Sequence, residues 1–521
     1  MKKFPDKNYS LPTVNNPACF YMKIFLRTNF IIAILLLLLS SVNVSAQQIV
    51  ISPVSIAEQG FGFTKVIGQD ENGYFLLMSN LSLNAETDRV GFKNRKYKLA
   101  WFSQTLVKKW SKAIEPPNSD SYIDAVTFFN GKVLVVTSTY KKQEQKLQCT
   151  LTTIDSEGNF NTNSGTPVEF LQINNDYEKC KVIFSVTKQN FALILREYTN
   201  DTSQTVFTAI IDSSLQVQSQ KSVNVPHSEK KFDFDSFALS VRGDLALLGF
   251  TSEKIKALSS KRKTEYYVYV SGTNEMVFKE YIIPADKAVS SLGVAFDNFN
   301  NQLVLAGFFI EKDSKAGAGI FYATINITTN DELKFSTKMI DAQSSSNLKR
   351  ERSLSSGTGI MDYPIERIVI RNDGGVMIVA EAAYTTEYSF YDSFSQSFTQ
   401  RLEYHYENVV VISVNTDATV DWSAIVEKSQ VSLDDEGVFS SFCPMLNSEQ
   451  FLILYNDDIS KRNKITSAVI SSRGVLTKGK PVPTSEGFII LPRSGKQVSE
   501  NQLLIPAYKK RDLHLVRFTF E

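Results

Sequence analysis

The densest group of side chains able to recognise a ligand lies between positions 384 and 406. Its members are aromatic residues and one histidine: Tyr384, Tyr388, Phe390, Tyr391, Phe394, Phe398, Tyr404, His405 and Tyr406. Tyrosine combines a large apolar face with a polar tip, which suits the faces of saccharides and the surfaces of partner proteins. One interpretation is a protruding hairpin that binds a ligand. The other, which the pattern favours, is a long hairpin whose rings pair across its strands and lie on a neighbouring repeat.

Residues suited to catalysis or metal binding are sparse in this sequence. Histidine occurs only as His227, His405 and His514, and none has a second ligand at a metal-binding spacing. His405 lies between two tyrosines and is expected to be exposed to solvent. A Gly-x-Ser-x-Gly nucleophile motif and a phosphate-binding glycine loop are both missing from the sequence. We therefore expect no catalytic residue, no metal and no cofactor.

Two acidic clusters, at positions 434–436 and 457–458, have the composition of a cation site or a carboxylate pair. Both lie at the ends of strand-like segments, where charged residues are normally solvated. The repeated calcium-loop pattern Asp-x-Asp-x-Asp-Gly does not occur. Solvated turns are therefore the favoured interpretation of both clusters.

The N-terminal 46 residues have the order of a secretory signal peptide. Basic residues after Met22 are followed by the apolar run Phe30–Leu39 and then by small residues up to Ala46. The apolar run is shorter than the roughly 20 residues that a membrane-spanning helix needs. We expect residues 22–46 to be a cleaved signal peptide and residues 1–21 to be an over-extended start. An uncleaved N-terminal anchor is the alternative.

A cleaved signal predicts export to the periplasm, the outer cell surface or the extracellular space. The chain beyond residue 46 carries 51 Lys and Arg against 54 Asp and Glu, a net charge near −3. Nucleic-acid binding needs clustered positive charge, so this balance argues against a nucleic-acid partner. We also expect no transmembrane segment in the mature chain.

Three cysteines remain after residue 46, namely Cys149, Cys180 and Cys443. An odd and sparse set is not the disulfide framework of a small secreted domain. Cys149 and Cys180 lie in neighbouring repeats, so a single disulfide between them is one possibility. Buried thiols that act as small apolar residues are the other.

These residues must be positioned by a repeated β-structure. A short apolar segment followed by a turn recurs about every 55 residues, at Phe75–Met78, Val133–Val136, Phe191–Leu195, Leu245–Phe250, Leu303–Phe309, Val376–Ala380, Phe451–Tyr455 and Leu503–Tyr508. The segments lack helical periodicity and are apolar on both faces. A strand buried on both faces requires neighbours on each side, as in the stacked sheets of a β-propeller.

The first repeat shows the composition of one blade. Four strand-like segments lie at Gly62–Ile67, Tyr74–Met78, Tyr97–Phe102 and Lys108–Ile114. A turn between third and fourth strands is recognisable seven times, with one interval longer by about 30 residues. That interval indicates an insertion at about 343–407 rather than a missing blade.

The last repeat, ending in Asp512–Phe520, has only three strands, whereas Gln48–Ile56 is a spare strand-like segment. We expect this segment to complete the last blade, because closure removes exposed sheet edges. The prediction is a single all-β propeller of eight four-stranded blades over residues 47–521. Seven blades, two propellers or a sandwich are the alternatives.

The sixth repeat runs from Asp373-Gly374-Gly375 through two apolar strands to an Asn415 turn and then Asp421-Trp422. This order resembles the DGG…W-type repeat of secreted bacterial β-propellers, which are common in Bacteroidota. The resemblance is moderate in the first repeat and only a general pattern elsewhere. It implies a fold and export, and it carries no catalytic residues.

The leading functional hypothesis is therefore an exported, non-enzymatic β-propeller that binds a protein or a polysaccharide at the cell envelope, as a scaffold or binding module. The alternative is a propeller hydrolase or lyase acting on glycans with carboxylates at the mouth of a central funnel, which need no linear spacing. A third hypothesis is an envelope-assembly or sensor component that positions partner proteins. The sequence indicates no particular oligomeric state.

Overall fold

The structure is a computed structural model. It describes residues 46–81, 95–162, 164–171, 173, 179–200, 202–228, 231–254, 261–273, 278–283, 288–310, 318–329, 333–340, 363–392, 396–459, 464–479 and 487–520. By its contacts the chain divides into residues 1–44 and 45–521. The proposed signal peptide, Phe394 and residues 344–359 of the predicted insertion lie wholly or almost wholly outside the described residues.

The described residues of the second unit form antiparallel strands and no α-helix. After β1 (Ala46–Ile51), the strands of the first half are β2 Phe63–Gln69, β3 Gly73–Ser79, β4 Tyr97–Ser103, β5 Lys108–Ile114, β6 Ser121–Phe129, β7 Lys132–Lys141, β8 Lys146–Ile154, β9 Phe160–Asn161, β10 Val168–Leu171, β11 Lys181–Phe184, β12 Asn190–Asn200, β13 Ser203–Asp212, β14 Val217–Val225, β15 Phe232–Leu239, β16 Leu245–Lys254, β17 Lys261–Ser271 and β18 Lys279–Ile282.

The second half continues in the same way. Its strands are β19 Ala288–Asp297, β20 Gln302–Ile310, β21 Ala318–Asn326, β22 Lys334–Met339, β23 Ile365–Ile370, β24 Val376–Asp392, β25 Ser397–Val414, β26 Val420–Val426, β27 Gln430–Leu433, β28 Cys443–Leu446, β29 Gln450–Asp458, β30 Lys464–Ser471, β31 Leu476–Lys478, β32 Phe488–Ile490, β33 Lys496–Ser499, β34 Gln502–Lys509 and β35 Asp512–Phe520. Short 3₁₀ turns occur at Lys142–Glu144 and Pro492–Ser494.

These strands pair into eight sheets, numbered here in chain order by their first strands. Sheets 1 to 7 begin at β2, β6, β11, β15, β19, β23 and β28, and sheet 8 begins at β32 and β33. In each of the first seven sheets the strands come from one continuous stretch of chain. Four of these strands lie side by side in the main hydrogen-bonded order of the sheet. The segmentation expected for the first repeat is confirmed by β2 to β5.

Alternation along each second strand explains why that strand is apolar on both faces. In β3, Tyr74, Leu76 and Met78 belong to an apolar cluster shared with sheet 8. Phe75 and Leu77, which point to the opposite face, belong to a cluster shared with sheet 2. All seven residues of β3 are buried as a result. Burying such side chains contributes roughly 1.5–3 kcal/mol each, so every sheet is stabilised by two neighbours.

The same stacking recurs along the chain. Among the described residues, apolar clusters bridge sheets 1 and 2, 2 and 3, 3 and 4, 4 and 5, 5 and 6, 6 and 7, and 8 and 1. Sheets 7 and 8 are joined by the Asn456 side chain, which bonds both backbone groups of Ile490 at 2.8 and 3.1 Å. Consecutive stacking of small antiparallel sheets is the architecture of a β-propeller.

The N-terminal strand pairs with the C-terminal one. β1 runs antiparallel to β35, with Ile49 opposite Phe518 and Val50 opposite Arg517. The order across sheet 8 is therefore β1, β35, β34 and β32, with β33 also paired to β34. The chain segments 46–51 and 512–520 share one sheet.

A β-bulge occurs in the first strand of five sheets. The register shifts in β2, β6, β15, β19 and β23 each leave one extra residue, namely Ile67, Asp124, Asp235, Ser290 and Glu366. A bulge re-aims a side chain and bends the strand that carries it. Each of the five residues lines one or more of three cavities.

The aromatic insertion forms a hairpin that continues sheet 6. β24 and β25 are 17 and 18 residues long, and they stay paired from Val376 and Val414 to Asp392 and Ser397. β27 pairs with the hairpin base through Glu403–Tyr406. None of the described residues belongs to a helix long and apolar enough to cross a membrane.

Candidate functional site

The candidate site is a channel lined by the first strands of the sheets. Three cavities of about 760, 380 and 360 Å³ occur there. The first two share Arg367, Pro444 and Arg493, and the last two share Glu366 and Arg367. Because they share wall residues, the three cavities adjoin one another, and we refer to them together as the channel. Ligand sites in proteins have volumes of this size.

The largest cavity is strongly basic. Its lining includes six cationic side chains and one carboxyl, that of Asp124. The cations are Lys65, Arg95, Lys179, Arg367, Arg493 and Lys496. Like charges gathered in a partly desolvated space repel one another, so this arrangement favours a bound anion.

Four of these cations have no acidic partner within the described part of the chain. No described carboxylate forms an ion pair with Lys65, Lys496, Arg367 or Arg493. Exposed cations such as Arg367 rarely need such a partner, but partly buried ones such as Lys65 and Lys496 usually have one. The largest of the three cavities therefore holds more positive than negative charge among the described residues, and the Glu366 carboxylate acts electrostatically on Arg367 and Arg493.

Burial and mutual repulsion change the acidity of the lysines. Burial, together with the charges of Lys188 and Lys65, lowers the pKa of Lys496 to about 8. Burial also lowers the pKa of Lys65, and the Arg493 guanidinium acts in the same direction. An anion placed between these groups would raise both pKa values, because opposite charge favours the protonated amine.

Local structure fixes the direction of the cations. Arg493 lies in the 3₁₀ turn Pro492–Ser494, and its guanidinium donates a hydrogen bond to the Gly437 carbonyl at 3.0 Å. The same guanidinium lies 5.2 Å from the ring centroid of Tyr406. Lys496, the first residue of β33, donates to the Ile67 carbonyl of sheet 1. Sheets 1, 6 and 8 thus position one cationic surface together.

The carboxylates of the smaller cavity lie in a network of buried contacts. Burial raises the pKa of Glu366, and the charge of Glu381 adds to that effect. Glu381 is itself bound in a buried ion pair with Lys428 at 2.5 Å, and the Ser441 hydroxyl donates to it at 2.6 Å. Burial raises the pKa of Tyr406, which keeps the phenol neutral. The smaller cavity is therefore a structural network with Tyr406 as a hydrogen-bonding group.

In both acidic clusters predicted to be turns, an aspartate contacts other residues of the protein. Asp434 accepts a hydrogen bond from the Leu402 amide at 2.9 Å and lies 3.6 Å from Arg401. Asp457 lies 4.0 Å from Lys478 at the end of β29. Within the described residues, neither cluster belongs to a group of metal ligands.

Side-chain contacts that the sequence did not indicate occur at the base of the hairpin. The rings of Tyr384 and His405 stack at 4.5 Å between centroids. His405 also contacts the Glu403 carboxylate at 3.0 Å and the Thr386 hydroxyl at 3.1 Å. The expectation that His405 is exposed was wrong: its side chain is 13% exposed, because it is opposite Tyr384 across the hairpin.

The tip of the hairpin exposes its aromatic side chains. Tyr391 and Phe398 contact each other at 5.4 Å and are 56% and 75% exposed. Phe390 packs under the Arg401 guanidinium at 5.6 Å. The Tyr388 backbone is paired with Arg401, and its side chain lies outside the described residues. The rings therefore do pair across strands, and the tip still presents an exposed apolar surface.

The structure brings only part of the predicted site to the channel. Tyr406 lines the 380 Å³ cavity beside Arg493, whereas Tyr391 and Phe398 lie at the far end of the same hairpin. Sequence reasoning missed the basic channel, because its cations are spread from position 65 to position 496. The only sequence signal was a basic residue in or beside several first strands, and this has no fixed spacing.

The fold and channel define the protein as a β-propeller with a basic central cavity. No protein-family model matches the chain, and no curated protein sequence matches it. Similar solved structures include a mutant of the apocarotenoid oxygenase of Synechocystis (7% identity, TM-score 0.38, covering 82% of this chain and 95% of that one).

Two further solved structures are similar in the same way. One is the β-propeller domain of the Trilobed protease from Pyrococcus furiosus, at 9% identity and TM-score 0.32, covering 81% of this chain and 97% of that one. The other is YCF48 from Cyanidioschyzon merolae, at 8% identity and TM-score 0.34, covering 90% and 98%. Such low identities and TM-scores carry no argument about activity.

Proposed function

We propose that this protein is an exported, non-enzymatic β-propeller that binds an acidic polysaccharide at the cell envelope. The observation that supports this most strongly is a set of cations around one cavity of about 760 Å³ that form no ion pair with a described carboxylate, namely Lys65, Arg367, Arg493 and Lys496. Carboxylate groups on a glycan would supply the missing negative charge. Export rests on the signal-like segment 22–46.

A polysaccharide suits the site better than a folded protein does. The cavity is concave and of a volume that admits a few sugar units or a chain end. Tyr406 at the channel and the exposed rings of Tyr391 and Phe398 would contact sugar faces. An acidic protein segment is the competing ligand, and the same binding experiments distinguish it.

We also propose that the eight sheets are the blades of one closed ring. The pairing of β1 with β35 and the apolar cluster between sheets 8 and 1 support this arrangement. The ring would hold the first strands at a fixed distance from the axis and so maintain the channel. An envelope-assembly or sensor role would use the same ring and would require a protein partner.

The proposal is tested by calorimetric titration with a short oligogalacturonate and with its methyl ester, which has the same sugar backbone and no charge. We expect binding of the free acid only. The variant K65M/R493M/K496M should lose that binding, whereas the surface variant K132M/R473M/K510M should keep it, because Lys132, Arg473 and Lys510 are exposed. Equal binding of acid and ester, or equal binding by both variants, would refute the proposal. Binding of an acidic peptide instead would identify a protein ligand.

A glycan lyase is a second candidate, favoured by one observation. With a pKa of about 8 in the free protein, Lys496 loses its proton more easily than an ordinary lysine, and it lies beside cations able to neutralise a uronate carboxylate. If those cations rather than Lys496 bind the carboxylate, the neutral amine can take the proton from the carbon next to it. A C=C double bond then forms as the glycosidic C–O bond breaks, and water protonates the departing oxygen. Incubation with polyuronate should then produce an unsaturated sugar with ultraviolet absorbance, and K496M should abolish it. Absence of product from folded wild-type protein would exclude this candidate.

A further inference from the structure

A buried group of three potential ligands lies in the wall between sheets 2 and 3. The Sγ atoms of Cys149 and Cys180 are 3.7 Å apart, and both side chains are buried. A carboxylate oxygen of Asp124, which is 4% exposed, completes the group, and the three ligand atoms lie within 4.8 Å of one another. This group was not apparent from the sequence, in which the three residues have no regular spacing.

The separation of the sulfurs matches a shared metal ion. Zn²⁺ binds thiolate sulfur at about 2.3 Å in tetrahedral geometry, which places two such sulfurs roughly 3.8 Å apart. The observed 3.7 Å agrees with that edge of the tetrahedron. Two thiolates and a carboxylate are also ligands that zinc prefers.

Asp124 offers an oxygen that no other described residue uses. Its Oδ2 atom is buried and has no hydrogen-bond partner. The Ser138 hydroxyl and the Cys180 backbone N–H donate hydrogen bonds to the carboxylate and so orient it. The β-bulge between Ile123 and Ala125 explains why this side chain is directed here rather than along the strand.

One member of the group borders the channel. Asp124 lines the 760 Å³ cavity, whereas Cys149 and Cys180 are buried behind it, so an ion would approach from the Asp124 side. The charge of the adjacent Lys179 would partly offset the negative charge of two thiolates and a carboxylate. Supporting hydrogen bonds and an access route are the usual companions of a real metal site.

We propose that Asp124, Cys149 and Cys180 bind one zinc ion. The ion links strands β6 and β8 of sheet 2 to the segment that enters sheet 3. A disulfide between the cysteines is the competing state, because exported thiols in contact are readily oxidised. The disulfide would leave the buried Oδ2 of Asp124 without a partner, whereas zinc occupies it.

The experiment loads reduced, metal-free full chain with zinc chloride alone and measures bound metal by elemental mass spectrometry. Loading with Co²⁺ alone gives a second readout, the thiolate-to-cobalt absorption band. We expect one zinc per chain and a cobalt–thiolate band in wild type. C149S and C180S should lose both signals, and D124N should bind zinc at least about tenfold more weakly. C443S is the matched control, because Cys443 is buried but outside the group, and it should bind like wild type.

A wild-type measurement keeps the proposal testable if variants fail to fold. Zinc should slow alkylation of Cys149 and Cys180, located by peptide mapping, and leave the rate at Cys443 unchanged. No bound zinc in reduced wild type, equal protection of Cys443, or a purified protein lighter by two hydrogens with those cysteines linked would each overturn the proposal.

Discussion

At the scale of the residue, the described lining of the 760 Å³ cavity carries six cations and one carboxyl. Lys65 and Lys496 have lowered pKa values, because burial and neighbouring cations disfavour their protonated forms. For Lys496 the change from 10.5 to about 8 corresponds to roughly 3 kcal/mol of unfavourable environment in the protonated state. Unfavourable environments of this kind are concentrated at functional sites, where a ligand relieves them.

This charge predicts a pH dependence of binding. A bound carboxylate stabilises the protonated Lys496, so the ligand binds the protonated protein more tightly. The free-protein pKa is about 8, so affinity should be full below that pH and fall as the pH rises through it. Between pH 7 and pH 9 we expect a loss of about tenfold in calorimetric affinity for oligogalacturonate. K496M should bind more weakly and lose this pH dependence, and an unchanged slope would contradict the role of Lys496.

At the scale of the element, stacking of sheets leaves little room where their first strands meet. Gly68 of β2 lies against Phe128 of β6, and a Cβ built on it would be 2.1 Å from that ring. The register shift in β2 falls just before this glycine. A residue without a side chain is therefore needed for sheets 1 and 2 to approach each other.

Gly68→Ala should destabilise the protein by about 1–3 kcal/mol through this overlap. Gly62→Ala is the matched control, because a Cβ there would meet nothing within 4 Å. Urea unfolding, followed by tyrosine and tryptophan fluorescence, gives the free energy of unfolding of both variants. Equal stability of the two would show that the contact between Gly68 and Phe128 is easily relaxed.

A variant at the tip of the β24–β25 hairpin can change ligand binding without changing the stability of the fold. Tyr391 and Phe398 contact mainly each other at the exposed tip. Y391S/F398S should therefore change the free energy of unfolding by less than about 0.5 kcal/mol. If the tip contacts the polysaccharide, the same variant should weaken oligogalacturonate binding several-fold. Unchanged affinity would restrict the ligand to the channel and make the tip a surface for another partner.

At the scale of the whole molecule, the repeat in the sequence predicted the fold much better than the site. The eight apolar segments are predictable, because each second strand must be buried on both faces, as β3 is. The pairing of the spare segment at 48–56 with the last repeat could also be predicted, because a sheet edge needs a partner. The channel was not predictable, because Lys65, Asp124 and Arg493 meet only after stacking. The bulge that re-aims Asp124 leaves no recognisable sequence signal.

Ring closure makes its own prediction. Deleting residues 48–56 should remove most of the partner of β35 and expose the apolar cluster between sheets 8 and 1. We expect a fall in Tm well beyond the 2–4 °C that about 1 kcal/mol produces in a domain of moderate size. A synthetic peptide of residues 46–56 should restore part of the lost stability by adding its strand in trans. An unchanged Tm in the deletion variant would reject closure by this strand.

The most direct test of the central claim is the crystal structure of the protein with a bound oligogalacturonate. The proposed function predicts sugar density inside the central channel, with a carboxylate within hydrogen-bond distance of Lys65, Arg493 or Lys496. Density confined to the outer surface of the sheets, with these three side chains unchanged and without an anion, would contradict it.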